Sequence, residues 1–185
     1  MGDEAPSLAG NLLVATPGLL DANFVRTVVL LLEHGSEGSV GVVLNRPTEE
    51  RIGDHLPEWE PHVAAPPVVF VGGPVMNEMA VGVGERGPGL DEAWEPVVGS
   101  VGAVDLAAGP EAATELGRVR VFSGYAGWDG NQLELELALA SWFVVPAEVS
   151  DVFTAAPEQL WREVLARQPG RLALFANFPD DLRSN

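Results

Sequence analysis

Val28-Val29-Leu30-Leu31-Leu32-Glu33-His34-Gly35-Ser36-Glu37-Gly38-Ser39-Val40-Gly41-Val42-Val43-Leu44 is the stretch on which the architecture turns. Two runs rich in Val and Leu flank Gly35-Ser36-Glu37-Gly38, and a short Gly-bearing connection between such runs predicts a β-hairpin. The first strand is read from Phe24 to Glu33 and the second from Val40 to Leu44, closed by Asn45-Arg46-Pro47. Upstream, Asn11 to Ala15 reads as a strand stopped by the turn formers Thr16-Pro17-Gly18. Downstream, Thr48 is placed to cap a short helix with Glu49 and Glu50 in its first turn. Pro57, Pro61, Pro66 and Pro67 then predict a semi-rigid loop leading into a strand at Val68 to Val71, which Gly72-Gly73-Pro74 ends.

Further along, strand fragments are read at Met79 to Val83 and Val97 to Leu106, in a segment rich in Gly and Pro. Arg118 to Phe122 alternates polar and apolar residues, as a strand with one wet face does. Between Asp129 and Trp142, the leucines Leu133, Leu135, Leu137 and Leu139 alternate, but Gln, Glu, Leu and Ala favour a helix, and helix is the reading chosen. Pro157 to Gln168 is the clearest helix, with Pro157 in its first turn and Leu160, Trp161, Val164 and Leu165 on one face. Glu158 with Arg162 and Glu163 with Arg167 are spaced for i,i+4 ion pairs. Strands and helices in this mixture predict an α+β fold. A single compact domain over residues 10–185 is expected, preceded by a flexible stretch over 1–9.

Composition narrows the chemistry. The 185 residues are 46% apolar and 20% charged, the balance of a folded domain. Formal charge is -17, and all ten basic residues are Arg, scattered without a cluster. Such a field repels phosphate backbones and anionic lipid, so direct nucleic-acid binding is disfavoured. With no Lys there is no Schiff-base or P-loop lysine. With no Cys there is no disulfide, thiolate metal site or cysteine nucleophile. The longest apolar run, Val28 to Leu32, is far short of the roughly 20 residues a membrane helix needs. The start, Met1 to Pro6, lacks a basic region followed by an apolar one, so no secretory signal is read and a cytoplasmic location is expected. No cofactor and no metal are expected.

Motifs are few. Gly82-Val83-Gly84-Glu85-Arg86-Gly87 matches the dinucleotide pattern by letter, but Pro88-Gly89 follow where a helix N-terminus must stand, so the match is rejected. No G-x-S-x-G elbow occurs, and His34, His55 and His62 lack the spacing of a metal-binding helix. His55 and His62 are read as solvent-facing. His34 ends a buried strand, where an imidazole can titrate near neutrality, but the favoured reading is a hydrogen bond to a neighbouring loop. Tyr125 and Trp128 offer either a ligand wall or packing against close backbone.

Four ordered blocks make the chain resemble the YqgE/AlgH family over nearly its whole length. The first runs from Gly10-Asn11-Leu12-Leu13-Val14-Ala15-Thr16-Pro17 through Leu20-Asp21, Phe24 and Arg26-Thr27-Val28-Val29 to His34. The second is Gly38 to Pro47, the third Gly72-Gly73-Pro74-Val75, and the fourth Gly124-Tyr125-Ala126-Gly127-Trp128 with Gln132-Leu133-Glu134. Asn131 departs from the usual Gly, and Leu135 interrupts an acidic run. The resemblance implies a mixed, partly barrel-like sheet surrounded by helices. It brings no catalytic residues, and one member is linked to transcriptional regulation of exopolysaccharide production.

The expectation is therefore a non-enzymatic regulatory or binding module that acts through a protein partner or small ligand. Its expected cleft is lined by His34, Asn45, Arg46, Gly73, Tyr125 and Trp128. The alternatives are a hydrolase using His34 with Asp21 or Glu33, and a regulator that binds DNA directly.

Overall fold

Valine and leucine runs without strict alternation require a sheet covered on both faces. The computed structural model, which describes residues 6–87, 94–112 and 115–180, contains such a sheet. Strand β1 (Asn11–Ala15) pairs antiparallel with β2 (Val28–Gly35), and β2 forms the expected hairpin with β3 (Gly38–Val43). The rows Leu12–Leu30–Val42 and Leu13–Val29–Val43 fall on opposite faces, and all six residues are buried. β2 begins at Val28, not Phe24. Residues 24–27 turn instead, with Arg26 at φ +58, and the Phe24 ring packs on Trp128 and Trp142.

Thr48 does not cap a helix. Residues Pro47–Arg51 form β4, antiparallel to β5 (Val68–Val71), and the Thr48 hydroxyl donates to Val69 O at 2.7 Å. Pairing with β5 satisfies the backbone that a helix would otherwise satisfy, so the helix is delayed to α1 (Ile52–His55). The stretch read as a proline loop contains a 3-10 helix, Pro57–His62, that buries Trp59, whose indole donates to Leu106 O at 3.1 Å.

The fragment read at Met79 to Val83 belongs to the longer β6 (Val75–Arg86), and the segment Val97 to Leu106 is a hairpin of β7 (Pro96–Val98) and β8 (Val101–Val104). The Gly82–Gly87 motif thus lies in and just after a strand. A Cβ at Gly82 would sit 2.8 Å from Leu106 Cδ2, and one at Gly84 2.6 Å from Val104 Cγ2, so these glycines make room for core side chains.

β9 (Leu116–Asp129) runs 14 residues, straight through Gly124–Trp128. It pairs with β3 through residues 126–129, with β5 in parallel through Phe122 and Ser123, and with β6 along most of its length. After α2 (Gln132–Ala138), which starts from Asn131 at φ +65, the chain forms β10 (Trp142–Pro146) on the outer edge of β1. β10 was not read from the sequence, and the helix read up to Trp142 ends at Ala138.

The strand order β10-β1-β2-β3-β9-β6-β8-β7 curls into a half-barrel, so that a Cβ on Gly10 would lie 2.3 Å from Val97 O. The parallel β5–β9 pair makes the sheet mixed. Its inner face is filled by α3 (Val149–Val152) and α4 (Leu160–Ala166), with Leu160, Trp161, Val164 and Leu165 buried as the sequence predicts. The i,i+4 ion pairs do not form. Arg162 donates to Ala176 O at 2.5 Å and Asp180 at 2.6 Å, while Arg167 grips buried Asp151 at 2.5 and 2.6 Å. No helix among the described residues is long and apolar enough to cross a membrane.

Arg120 corrects the reading of a strand with one wet face. It is 1% exposed, lies 4.3 Å from the centre of the Phe70 ring, and donates through Nη2 to Ala65 O at 3.1 Å and Thr154 O at 3.0 Å. Burial, with a smaller contribution from Arg118, lowers its pKa to about 10. The alternation at 118–122 is a true strand signal: Arg118 stays exposed, but Arg120 is enclosed by the Phe70 ring and the carbonyls of Ala65 and Thr154.

Candidate functional site

His34 and Trp128 share a row of the sheet, because His34 pairs with Ser39 and Ser39 with Trp128. Both side chains meet α2. His34 Nδ1 accepts the Leu8 N–H at 3.1 Å, which leaves Nε2 as the protonated nitrogen donating to Glu134 Oε1 at 3.0 Å. Ser7 Oγ donates to the His34 carbonyl at 3.0 Å, so the described part of the segment 1–9 is tied to β2. Both ring nitrogens are occupied. Neither partner is Asp21 or Glu33, and Asp21 instead accepts the Asn23 N–H at 2.8 Å.

The Trp128 and Trp142 indoles both donate to Glu136 Oε2, at 2.9 and 2.8 Å, and Gln132 Nε2 donates to the other oxygen at 3.1 Å. Glu136 was not singled out by sequence reading. An acid two positions past Glu134 carries no local sign that two distant indoles will need one acceptor.

Asn45 and Arg46 hold the turn before β2. Asn45 accepts the Val28 N–H at 2.9 Å and donates to Arg26 O at 2.8 Å. Arg46 donates to Val25 O at 3.0 Å and Ala22 O at 3.2 Å. Gly73 lies against the β9 backbone, where a Cβ would come within 2.2 Å of the Tyr125 carbonyl. Tyr125 and Trp128 are an odd number of residues apart on one strand and project to opposite faces. Tyr125 packs with the Phe122 cluster and Trp128 with Ala126 and Leu133. The six residues therefore occupy three places and do not line one cleft.

Open concave surface lies elsewhere, along β6. Two concavities of about 390 and 440 Å³ share Leu56, Met79 and Ala80 and form one trough. Val121, Val81 and Leu106 contribute apolar lining, and Glu50, Glu78 and Asp105 contribute carboxylates. His55, the one basic residue among the described residues of the trough, is ion-paired to Glu50 at 3.2 Å and is exposed, as the sequence suggested.

At one end of the trough β6 bulges. Val75 pairs with Tyr125 and Ala80 with Ser123, so β6 takes five steps where β9 takes two. The surplus pushes Met76 and Met79 outward, 61% and 41% exposed, with Met76 at φ +48. The bulge is anchored, since Ser123 Oγ donates to Asn77 O and the Asn77 carboxamide nitrogen reaches Gly73 O at 3.1 Å and Pro74 O at 3.2 Å. Gly73 also borders a 280 Å³ hollow on the bulge's other flank, with Val71 and Asn77.

Chemically, the trough offers apolar contact and hydrogen-bond acceptors. The Ser123 hydroxyl is spent on Asn77 O, and the described residues hold no group of three or more His, Asp or Glu side chains placed to bind a metal ion.

Comparison with known proteins agrees with the architecture. A UPF0301 protein of Streptomyces coelicolor is 52% identical over 187 residues, covering 96% of this chain and 95% of the relative. A UPF0301 protein of Thermobifida fusca is 45% identical over 188 residues, covering 95% of this chain and 94% of the relative. Among solved structures, a crystal structure of a Corynebacterium diphtheriae protein superposes with TM-score 0.86 at 33% identity, covering 96% of this chain and 95% of that one. The solution structure of the Pseudomonas aeruginosa AlgH protein gives TM-score 0.67 at 28% identity, covering 98% of this chain and all of that one. The AlgH-like family model matches residues 12–173, and the chain belongs to this family.

Proposed function

We propose that this protein is a non-enzymatic binding module that acts through a protein partner docked on the β6 bulge and trough. The observation that carries the reading is the bulge itself. Met1, Met76 and Met79 are the chain's methionines, and the two internal ones stand exposed on a hydrogen-bonded protrusion beside an apolar trough. Methionine is flexible and polarisable, and suits surfaces that must fit a partner. Of the six residues expected to form a cleft, Gly73 and Tyr125 lie beside the bulge, while His34 and Trp128 brace the α2 side and Asn45 and Arg46 the turn before β2.

Two experiments bear on the proposal. A turnover screen over esters, phosphoesters and amides is expected to be silent for wild type. Hydrolysis that disappears in His34→Asn would replace the reading with a hydrolase. A photo-crosslinking residue at position 76, expressed in cells, is expected to trap a discrete protein adduct, and its absence would count against the partner surface.

A further inference from the structure

The trough also has a charge pattern, and that pattern selects a class of partner. Three carboxylates, Glu50, Glu78 and Asp105, stand around apolar side chains; Glu50 is shared with His55 and Asp105 also accepts the Ala107 N–H, and no Arg among the described residues lines either concavity. The arginines nearest in sequence are engaged elsewhere. Arg51 pairs with Glu60 at 3.3 Å and Arg118 with Glu85 at 2.8 Å, while Arg120 is buried. The whole molecule carries -17, so a cationic partner is attracted at long range as well as at contact. An acidic peptide, a nucleic acid or an anionic membrane meets repulsion from the same groups.

The mode of docking follows from the sheet. Gly82 to Gly84 pair with β8 on one side and β9 on the other, while Ala80 and Val81 pair with β9 alone. The trough is walled by Leu56, Met79, Val104 and Val121, and recognition here runs through side chains that enter it. A helix presents apolar residues at i and i+4 about 6 Å apart along its axis and can surround them with basic residues, so one helix can offer two anchors and flanking cations to a two-part apolar trough with acidic borders.

Resting on the proposed binding role, we infer that the β6 trough receives a cationic amphipathic helix of a partner protein, with aliphatic anchors in the two hollows and Lys or Arg against Glu50, Glu78 and Asp105.

Three synthetic helical peptides of equal length test this by calorimetric titration of the full-length protein: one of Leu and Lys, one of Leu and Glu, and one of Ser and Lys with the same charge but no anchors. The Leu/Lys peptide is expected to bind, more weakly at high salt, and to shift the amide resonances of Met79, Ala80 and Leu106. Glu78→Lys with Asp105→Lys should weaken it about tenfold or more, and Met79→Glu should weaken it too. Glu37→Lys with Glu158→Lys makes the same change in net charge away from the trough and should alter affinity less than about twofold.

Equal binding of the Ser/Lys peptide, or equal loss from the remote pair, would overturn the inference in favour of diffuse charge attraction. Binding of the Leu/Glu peptide in the trough would overturn the cationic class and leave the docking surface standing. An adduct from position 76 with no Leu/Lys binding would also overturn the inference alone. With no adduct and no peptide binding, both the inference and the docking surface fall.

Discussion

The two sides of β9 use similar ingredients to opposite ends. On the α2 side, aromatic rings and carboxylates are brought together and consumed. Two indole N–H groups share Glu136, His34 is held at both nitrogens, and Phe24 closes over Trp128 and Trp142. On the β6 side, Glu50 is shared with His55 and Asp105 caps the Ala107 N–H, yet these carboxylates and Glu78 still border an open apolar trough, and two methionines face solvent. Acidic and apolar residues thus offer a binding surface only where local geometry keeps the apolar groups uncovered. A bulge produces that geometry here.

If the α2 side is structural, the largest loss should come from its rings. Trp142→Ala removes a nearly buried indole and its hydrogen bond, and should cost about 3–5 kcal/mol in chemical denaturation. Glu136→Ala leaves the Trp128 and Trp142 N–H groups without their acceptor and should cost about 2 kcal/mol, with altered tryptophan fluorescence. A neutral outcome for either would mean that this face is not closed as described.

Arg120 belongs to neither side and sharpens the comparison by pH. Its folded pKa, about 10, lies below the ordinary arginine value, so the folded state binds its proton less well than the unfolded state. Wild-type stability relative to Arg120→Met should therefore rise as pH climbs through that window, with the full burial penalty present below it. Denaturation at about pH 9 and about pH 11 would measure the change, expected on the order of 1 kcal/mol. At neutral pH, Arg120→Met should be neutral or stabilising, because the methionine fills much of the volume without a buried charge.

Smaller effects follow at His34 and at the trough. His34→Asn should cost about 1 kcal/mol, the value of an ordinary hydrogen bond, through the tie to Leu8 and Glu134. Met79→Glu should change stability by less than about 0.5 kcal/mol, as substitutions at exposed positions do. The same variant is expected to lose partner binding. A large stability loss would place Met79 in the core and remove the contrast between the two sides.

Local signals were legible in the sequence. The β2–β3 hairpin follows from two apolar runs and a Gly-bearing connection, and α4 from its stripe of Leu160, Trp161, Val164 and Leu165. What depends on distant partners was not. Residues 47–51 read as a helix start until β5 supplies their hydrogen bonds, and Arg120 reads as wet until Phe70, Ala65 and Thr154, all distant in sequence, enclose it. β10 was hidden beside a Leu-rich helix and is a strand because β1 has a free edge. For the candidate site, the sequence singled out residues that hold the scaffold, such as Asn45 and Arg46. It did not show the bulge, because a three-residue surplus on β6 exists only against the register of β9.

Met76 and Leu135 are similarly exposed, at 61% and 66%, and stand on the open and closed sides of β9 respectively. A photo-crosslinking residue placed at each position in turn, expressed in cells and analysed for adducts, compares the two surfaces at equal accessibility. The account predicts a discrete protein adduct from position 76 and none from position 135. An adduct from position 135 alone would contradict it.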